Sequence, residues 1–474
     1  PQLDQLSYTA HQTGSSADGR GRLARRDVRD TLIAFFQQAG MPEAEAFAAT
    51  GRFLEYIDHR SGLLTPDTDE TYVFAHLTLQ EHCAGRHIVL GSEDPIALAM
   101  QHRADDRWRE PLFLGMGLAP PADLNDLLAA LLEREEEEQP KPLERWYRDL
   151  ILAAELGADR DWAYLRTLPR IKVAKLQAAL RAGLVELLSD RNQPLPVNER
   201  VRAGFLLGDL GDPRVPVTVE EWRRELERAR AGDTSGYFCR VPAGTYLIGS
   251  AADDPEARAD KQPQHQVEIP EPFLVARFPI TNAQWQAWVA EGGQQSRYAD
   301  SDNLGHPNQP VVGVNWHMCN DFCAWLSDQL GITICLPTEA EWEASARGGD
   351  PRRYPWGDDW RDDHAATRED QDLRGWAWSV PVGCYPAGAA PSGALDMAGN
   401  VDEWTADIWQ SYPEAEKPFR EEDRRVLRGG STYENRIYVR CGARNWNYPV
   451  DVFFNDDRNG FRVVAAPCSI ADNR

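Results

Sequence analysis

The residues that could do chemistry in this 474-residue chain are its thiols, imidazoles and acids. The eight cysteines are Cys83, Cys239, Cys319, Cys323, Cys335, Cys384, Cys441 and Cys468, with no C-x-x-C pair. Cys319 and Cys323 stand four apart in NWHMCNDFCAWL and share one face of a predicted helix. That scatter reads as reduced, buried thiols of a cytosolic protein rather than disulfides or a zinc site. Among the ten histidines, His76 and His82 stand six apart, on different faces of a helix, and no facial-triad spacing for iron occurs. G-x-x-x-x-G-K-[ST], H-E-x-x-H and a Ser-His-Asp order are absent from the sequence. The most informative stretch runs from Arg424 to Ala466, RRVLRGGSTYENRIYVRCGARNWNYPVDVFFNDDRNGFRVVAA. Its two ends read as strands. Between them Tyr, Asn, Asp, Trp and Phe crowd together without a helix or strand period. Large aromatics and adaptable polar groups on irregular backbone make a binding surface, so the residues point to recognition before catalysis.

The elements that must hold that surface fall into two halves. Residues 1–22 are polar and rich in Gly and Ser, and are expected to be flexible. From Asp27 to about Arg230 apolar residues recur at three and four, as in LNDLLAALLEREEEE and KVAKLQAALRAGLVELLSD, with Gly or Pro at the breaks. Helix pairs of similar length suggest stacked helical repeats without an exact period. The Glu135–Glu138 run reads as an exposed helix end and linker. Composition changes near AGDTSGYFCRVPAGTYLIGS, which places a domain boundary at about 231–237. Beyond it lie short strands, long loops and two helical stretches, ITNAQWQAWVAEGG and NWHMCNDFCAWLSDQL.

An apolar share of 42% supports real cores. The net charge of −24, from 51 basic and 75 acidic residues, disfavours nucleic acid and anionic membrane as partners. No apolar run reaches the roughly 18 residues of a membrane span, and residues 1–22 lack a signal-peptide core. A cytoplasmic location is expected. The chain starts at Pro1 rather than Met, which suggests a piece of a longer protein.

Residues from about 239 to 466 resemble the formylglycine-generating enzyme, or sulfatase-modifying factor, family. The segments occur in the family's order: VPAGTYLIGS at 241–250, FPITNAQWQAWV at 278–289, HPNQPVVGVNWHMCNDFCAWL at 306–326, LPTEAEWEASARGG at 336–349, YPWGDDW at 354–360, GALDMAGNVDEWTADIW at 393–409, RGGS at 428–431 and GFRVV at 460–464. The resemblance implies an α+β C-type lectin fold over 238–474. It also implies a copper oxidase that needs two thiols just after the RGGS turn. Here that segment holds Cys441 alone, in a stretch where the family's cysteine is not one of the active pair. One thiol cannot make the soft two-thiolate site that Cu(I) requires. No copper is therefore expected, the chain is read as no enzyme, and a degenerate relative of the oxidase is the alternative. The family's segment matching GNVDEW holds a structural calcium. Asn400 and Glu403 have the hard-oxygen chemistry for one Ca²⁺, or they tie loops by hydrogen bonds.

The same segment layout is similar to the variable proteins of diversity-generating retroelements, with a variable region at about 428–464. In those proteins, miscopied template adenines turn Asn codons into many residues, but not into Glu or Trp. The resemblance nominates Tyr433, Asn435, Ile437, Tyr438, Asn447, Tyr448, Asp451, Val452, Phe453, Phe454, Asn455 and Asp456 as ligand-binding positions. Glu434 and Trp446 are expected to be fixed.

In the first half, YVFAHLTLQEHCAGRHI at 72–88 is similar to a motif that follows the nucleotide-binding core of NACHT-type NTPases, carried by Phe74, His76, Gln80 and Glu81. RSGLLTPDTDETYVFAH at 60–76 matches the small wing before it, so 23–100 is expected to be winged-helix-like and 101–230 helical repeats. The absence of a phosphate loop implies that the NTPase core, and with it any nucleotide, lies outside this chain. Together the resemblances imply the recognition end of a sensor. Its partners would be protein ligands of phage or other foreign origin.

Overall fold

The computed structural model describes residues 2–14, 19–57, 63–134, 141–169, 171–413, 415, 418, 420–450 and 456–465. The Glu135–Glu138 run lies outside them. The chain divides into two compact units, Pro1–Leu180 and Arg181–Arg474.

The first unit begins with α1 (Gln2–Thr13), β1 (Arg22–Ala24), α2 (Arg25–Gln38) and α3 (Glu43–Tyr56). A hairpin of β2 (Leu64–Thr68) and β3 (Thr71–Phe74) pairs with β1 in the order β1-β3-β2. The helix α4 (Leu77–Arg86) follows. Within the N-terminal segment, Gln2–Thr13 forms a packed helix. Leu6 and Ala10 of α1 are buried with Leu23, Val28, Leu32, Tyr72 and Phe74. Ser7, His11 and Gly21 face a polar partner. Gln80 is fully buried, its Nε2 lies 3.1 Å from His11 Nδ1, and its Oε1 accepts the Gly21 N–H at 3.0 Å. Ser7 donates to the Gln80 carbonyl. Gln80 thus acts as a buried tie between α1 and α4. His76, two residues beyond β3, is the exposed N-cap residue of α4.

The unit continues with α5 (Pro95–His102), α6 (Arg109–Met116), α7 (Pro121–Leu132), α8 (Leu143–Asp159) and α9 (Trp162–Leu165). Their lengths keep no constant repeat. Gly85 and Gly115 let α4 and α6 cross closely, since a Cβ on Gly85 would sit 2.2 Å from the Pro111 carbonyl oxygen. The long α10 (Val173–Ser189) contains the point of division.

In the second unit α11 (Val197–Leu210) and α12 (Val219–Arg230) precede the strands. The compact units divide at Leu180/Arg181, ahead of the change of composition at 231–237. The reason is packing. Trp222 and Leu226 of α12 are buried in the same cluster as Phe278, Trp285, Phe322 and Phe461, and Arg200 of α11 donates to the Cys384 carbonyl at 2.6 Å. Composition records the change from helix to loop, whereas a domain ends where shared burial ends.

Strands β4 (Phe238–Val241), β5 (Gly244–Ile248), β6 (His265–Ile269) and β7 (Phe273–Ala276) follow, then α13 (Asn282–Ala290), α14 (Trp316–Leu330), β8 (Ile334–Cys335), α15 (Glu339–Arg347) and α16 (Gln371–Arg374). The last strands are β9 (Asp402–Gln410), β10 (Arg420–Arg428), β11 (Arg444–Asn447), β12 (Asn459–Gly460) and β13 (Val464–Ala465). Two four-stranded sheets result, ordered β11-β10-β9-β12 and β4-β7-β13-β8, beside a β5-β6 pair. A capping box opens α15: Thr338 Oγ1 accepts the Glu341 N–H, and Glu341 Oε2 accepts the Thr338 N–H at 2.8 Å. No described helix is long and apolar enough to cross a membrane.

Candidate functional site

The segment from 428 to 450 is built on buried charge. Arg428 ends β10 fully buried, with Nη2 donating to Glu343 Oε2 at 2.5 Å and to the Cys441 carbonyl at 2.6 Å. Its Nη1 reaches Glu339 Oε1 at 3.2 Å, and Arg444 donates to Glu339 Oε2 at 2.8 Å. Arg347 completes the chain at 2.7 Å from Glu343 Oε1. The Glu343–Arg347 helix spacing, weak on a surface, is here one link of a desolvated network that joins α15 to both ends of the loop.

Gly429 and Gly430 then turn the chain with φ of +93° and +68°. Glu434 closes the turn: Oε2 accepts the Ser431 N–H at 2.7 Å and Oε1 takes Arg458 at 3.0 Å. Trp446, expected to be fixed, lies half-buried under Arg424, whose guanidinium carbon is 3.5 Å from the ring centroid.

Around this frame Tyr438 and Tyr448 are exposed, at 37% and 38%, and Asn435 is exposed. Ile437 is half-buried. Tyr433 is half-buried between Trp378 and Arg458, with its hydroxyl donating to Asp457 at 2.9 Å. Burial and then Asp457 push that phenol well above its usual range. Asn447 contradicts its nomination. It is the last residue of β11, paired with Arg425, and buried at 9%. Its Oδ1 accepts the Tyr448 N–H at 2.8 Å, a loop-tying role that a randomised position could not keep. Asp451, Val452, Phe453, Phe454 and Asn455 lie outside the described residues. Asp456 opens a short 3-10 turn, Asp456–Arg458.

A pocket of about 310 Å³ opens beside Tyr438 and Trp446. Arg258, Lys261, Asp402 and Glu434 also line it. Sequence reading missed Arg258, Lys261 and Asp402. The first two come from the polar run between β5 and β6, whose only signal is its charge. Asp402 was hidden inside the GNVDEW match.

The expected calcium pair does not fit a metal. Asn400 Oδ1 accepts the Val380 N–H at 2.9 Å, and its Nδ2 donates to the Val380 carbonyl at 3.2 Å. Both Glu403 oxygens are taken by Arg462, at 2.6 and 2.7 Å, with Trp342 Nε1 sharing one of them at 2.7 Å. A carboxylate neutralised by a fully buried guanidinium has no charge left for Ca²⁺. Both residues tie neighbouring segments by hydrogen bonds. Among the described residues no cluster of three His, Cys, Asp or Glu could hold a metal. Cys441 is fully buried, and burial pushes its thiol up to about 12, so it stays a neutral small side chain.

Residues 222–467 match the Sulfatase-modifying factor enzyme 1-like domain. The chain belongs to this family. Residues 3–88 are similar to the Winged helix-turn-helix domain C-terminal to NACHT. Over 253 residues the chain is 34% identical to a hercynine oxygenase of Mycolicibacterium thermoresistibile, covering 43% of this chain and 54% of that protein. The chain thus spans about half the length of the curated relatives it matches. Among solved structures it is similar to PvdO from Pseudomonas aeruginosa, at 29% identity and a TM-score of 0.42 over 48% of this chain and 94% of that one. It is also similar to Treponema denticola variable protein 1, at 23% identity and a TM-score of 0.41, over 48% and 95%.

Proposed function

We propose that this sulfatase-modifying-factor-type domain is a non-catalytic recognition module. Its targets would be protein ligands, bound through Tyr438, Tyr448, Tyr433, Asn435 and Ile437. The observation that carries the reading is one contrast. The exposed tyrosines stand on backbone fixed by the fully buried Arg428–Glu343 pair. Rigid backbone under exposed aromatics gives contact area at low entropy cost. The single buried Cys441 offers no thiolate pair for oxidase chemistry. The match of residues 3–88 supports placing the module in a NACHT-type signalling protein, where target binding would bias the NTPase.

The reading is tested in the coding sequence. Sequencing codons 428–464 in related isolates should show substitutions concentrated at Tyr433, Asn435, Ile437, Tyr438 and Tyr448. Glu434, Trp446 and Asn447 should not change. Uniform codons, or changes spread over the buried network, would remove the diversified-surface reading. A Cu(I) titration separates the oxidase alternative, since stoichiometric binding would revive it.

A further inference from the structure

The pocket beside Tyr438 holds a buried acid that no ion pair of the fold engages. Successive strand residues face opposite ways. At the start of β9, Glu403 turns into the core and takes Arg462, while Asp402 lines the pocket. Asp402 is only 2% exposed. Of the other buried acids of this unit, Glu339, Glu343 and Asp370 each hold an arginine, whereas Asp396 accepts the Gly383 N–H at 2.8 Å and lines no such pocket. Asp402 forms no ion pair among the described residues; its donor is the backbone N–H of Gly430, and the cation that acts on it, Arg458, is paired with Glu434. An unpaired buried carboxyl is costly unless something else supplies the opposite charge.

The remaining charges of the pocket are mostly spoken for. Lys261 is paired with Asp260 at 3.0 Å, Arg444 with Glu339 at 2.8 Å and Glu434 with Arg458 at 3.0 Å. Arg258 is exposed and donates to the Tyr438 hydroxyl at 2.9 Å. Once these pairs are set aside, a buried carboxyl and an exposed rim cation remain, with Tyr438 and Trp446 as aromatic walls.

We propose that this pocket is a subsite for an alkylammonium or guanidinium group, with Asp402 as its counter-ion, and that it receives a lysine or arginine side chain of the bound target. The volume, near the lower end of the roughly 300–1,000 Å³ range of ligand sites, suits one long side chain. Burial and then Glu434 push the Asp402 carboxyl well up, as expected of an acid that lacks its cation. The aromatic walls add cation–π attraction. The target-side assignment rests on the recognition reading above, whereas the cation subsite does not.

The test uses the full chain and two probes, Nα-acetyl-lysine methylamide and its uncharged norleucine analogue, followed by calorimetric titration. Saturable binding of the lysine probe is expected, with at least tenfold weaker binding of the norleucine analogue. Asp402→Asn should weaken the lysine probe at least tenfold. Arg258→Ala, at an exposed position, should leave the fold intact and tighten the lysine probe by removing a like charge at the rim. No saturable binding by the native chain would overturn the proposal, as would equal binding of the two probes. An Arg258→Ala variant that binds the lysine probe more weakly would also overturn it. Free lysine binding tenfold tighter than the blocked probe would assign the pocket to a free amino acid and overturn the side-chain form. Probe binding through Asp402 together with invariant codons 428–464 would keep the subsite and remove the diversified surface.

Discussion

Arg462 holds Glu403 from two directions, Nε to Oε2 at 2.6 Å and Nη2 to Oε1 at 2.7 Å, and neither side chain reaches solvent. The pair joins β9 to the chain just after β12, across the centre of the domain. Glu403→Gln would leave a buried guanidinium without its counter-charge. The expected cost is about 3–5 kcal/mol in denaturant unfolding. Because Arg462 already occupies the site expected of calcium, adding Ca²⁺ or a chelator should leave the melting curve unchanged. A chelator-induced drop in Tm would contradict the assignment.

Neighbouring residues of the last segment should behave oppositely. Tyr438→Ala and Tyr448→Ala remove exposed rings and should change stability by no more than about 0.5 kcal/mol. Asn447→Ala removes a buried acceptor that ties the Tyr448 N–H, and should cost about 1–3 kcal/mol. Thermal denaturation of the three variants under one condition gives the comparison. Equal losses at all three would mean that the segment is core throughout.

The scaffold was legible because its signals are local. Thr338 and Glu341 announce a capping box within four residues, and Gly399 and Asn400 announce a left-handed turn, observed at φ of +77° and +68°. The exposure of Tyr438 and Tyr448 was legible from irregular, polar surroundings. Burial set by distant partners was not. Asn447 looks like its exposed neighbours until β11 pairs with β10. Ser7, His11 and Gly21 look like parts of a loose segment until Gln80 accepts from Ser7 and Gly21 and donates to His11. Asp402 looks like one more acid until strand alternation sends it and Glu403 to opposite sides.

The first unit should lose stability in mild acid. His11, His87 and His102 all have imidazoles held below their usual range, chiefly by burial. His11 shows why. Its Nδ1 faces the amide nitrogen of Gln80, and its Nε2 lies 2.7 Å from the Arg107 carbonyl. The neutral ring satisfies both, whereas a proton on Nδ1 would point at another donor. The unfolded chain binds these protons near pH 6.5 and the folded chain only lower, so stability is full above about pH 6.5 and falls as pH drops through it. Urea midpoints measured from pH 7.5 to 5.5 should decline, and His11→Gln should flatten the decline. A midpoint independent of pH would show that these rings do not matter to stability.

Gly430 links the buried network to the surface. At φ of +68° a Cβ would lie 2.8 Å from Val439 Cγ1 and 2.9 Å from the Tyr438 carbonyl oxygen. The backbone that presents Tyr438 therefore rests directly on the turn. Gly430→Ala pairs left-handed strain of about 1–3 kcal/mol with a contact that Tyr438 must move to relieve. Gly430→Asn separates the two effects, since Asn accepts the left-handed region more readily yet still carries the Cβ. If the contact dominates, Asn should be as destabilising as Ala, and both should shift the amide resonances of Tyr438 and Val439. If Asn restores the native melting temperature, strain alone fixes the glycine, and Tyr438 stands on a looser support than the geometry implies.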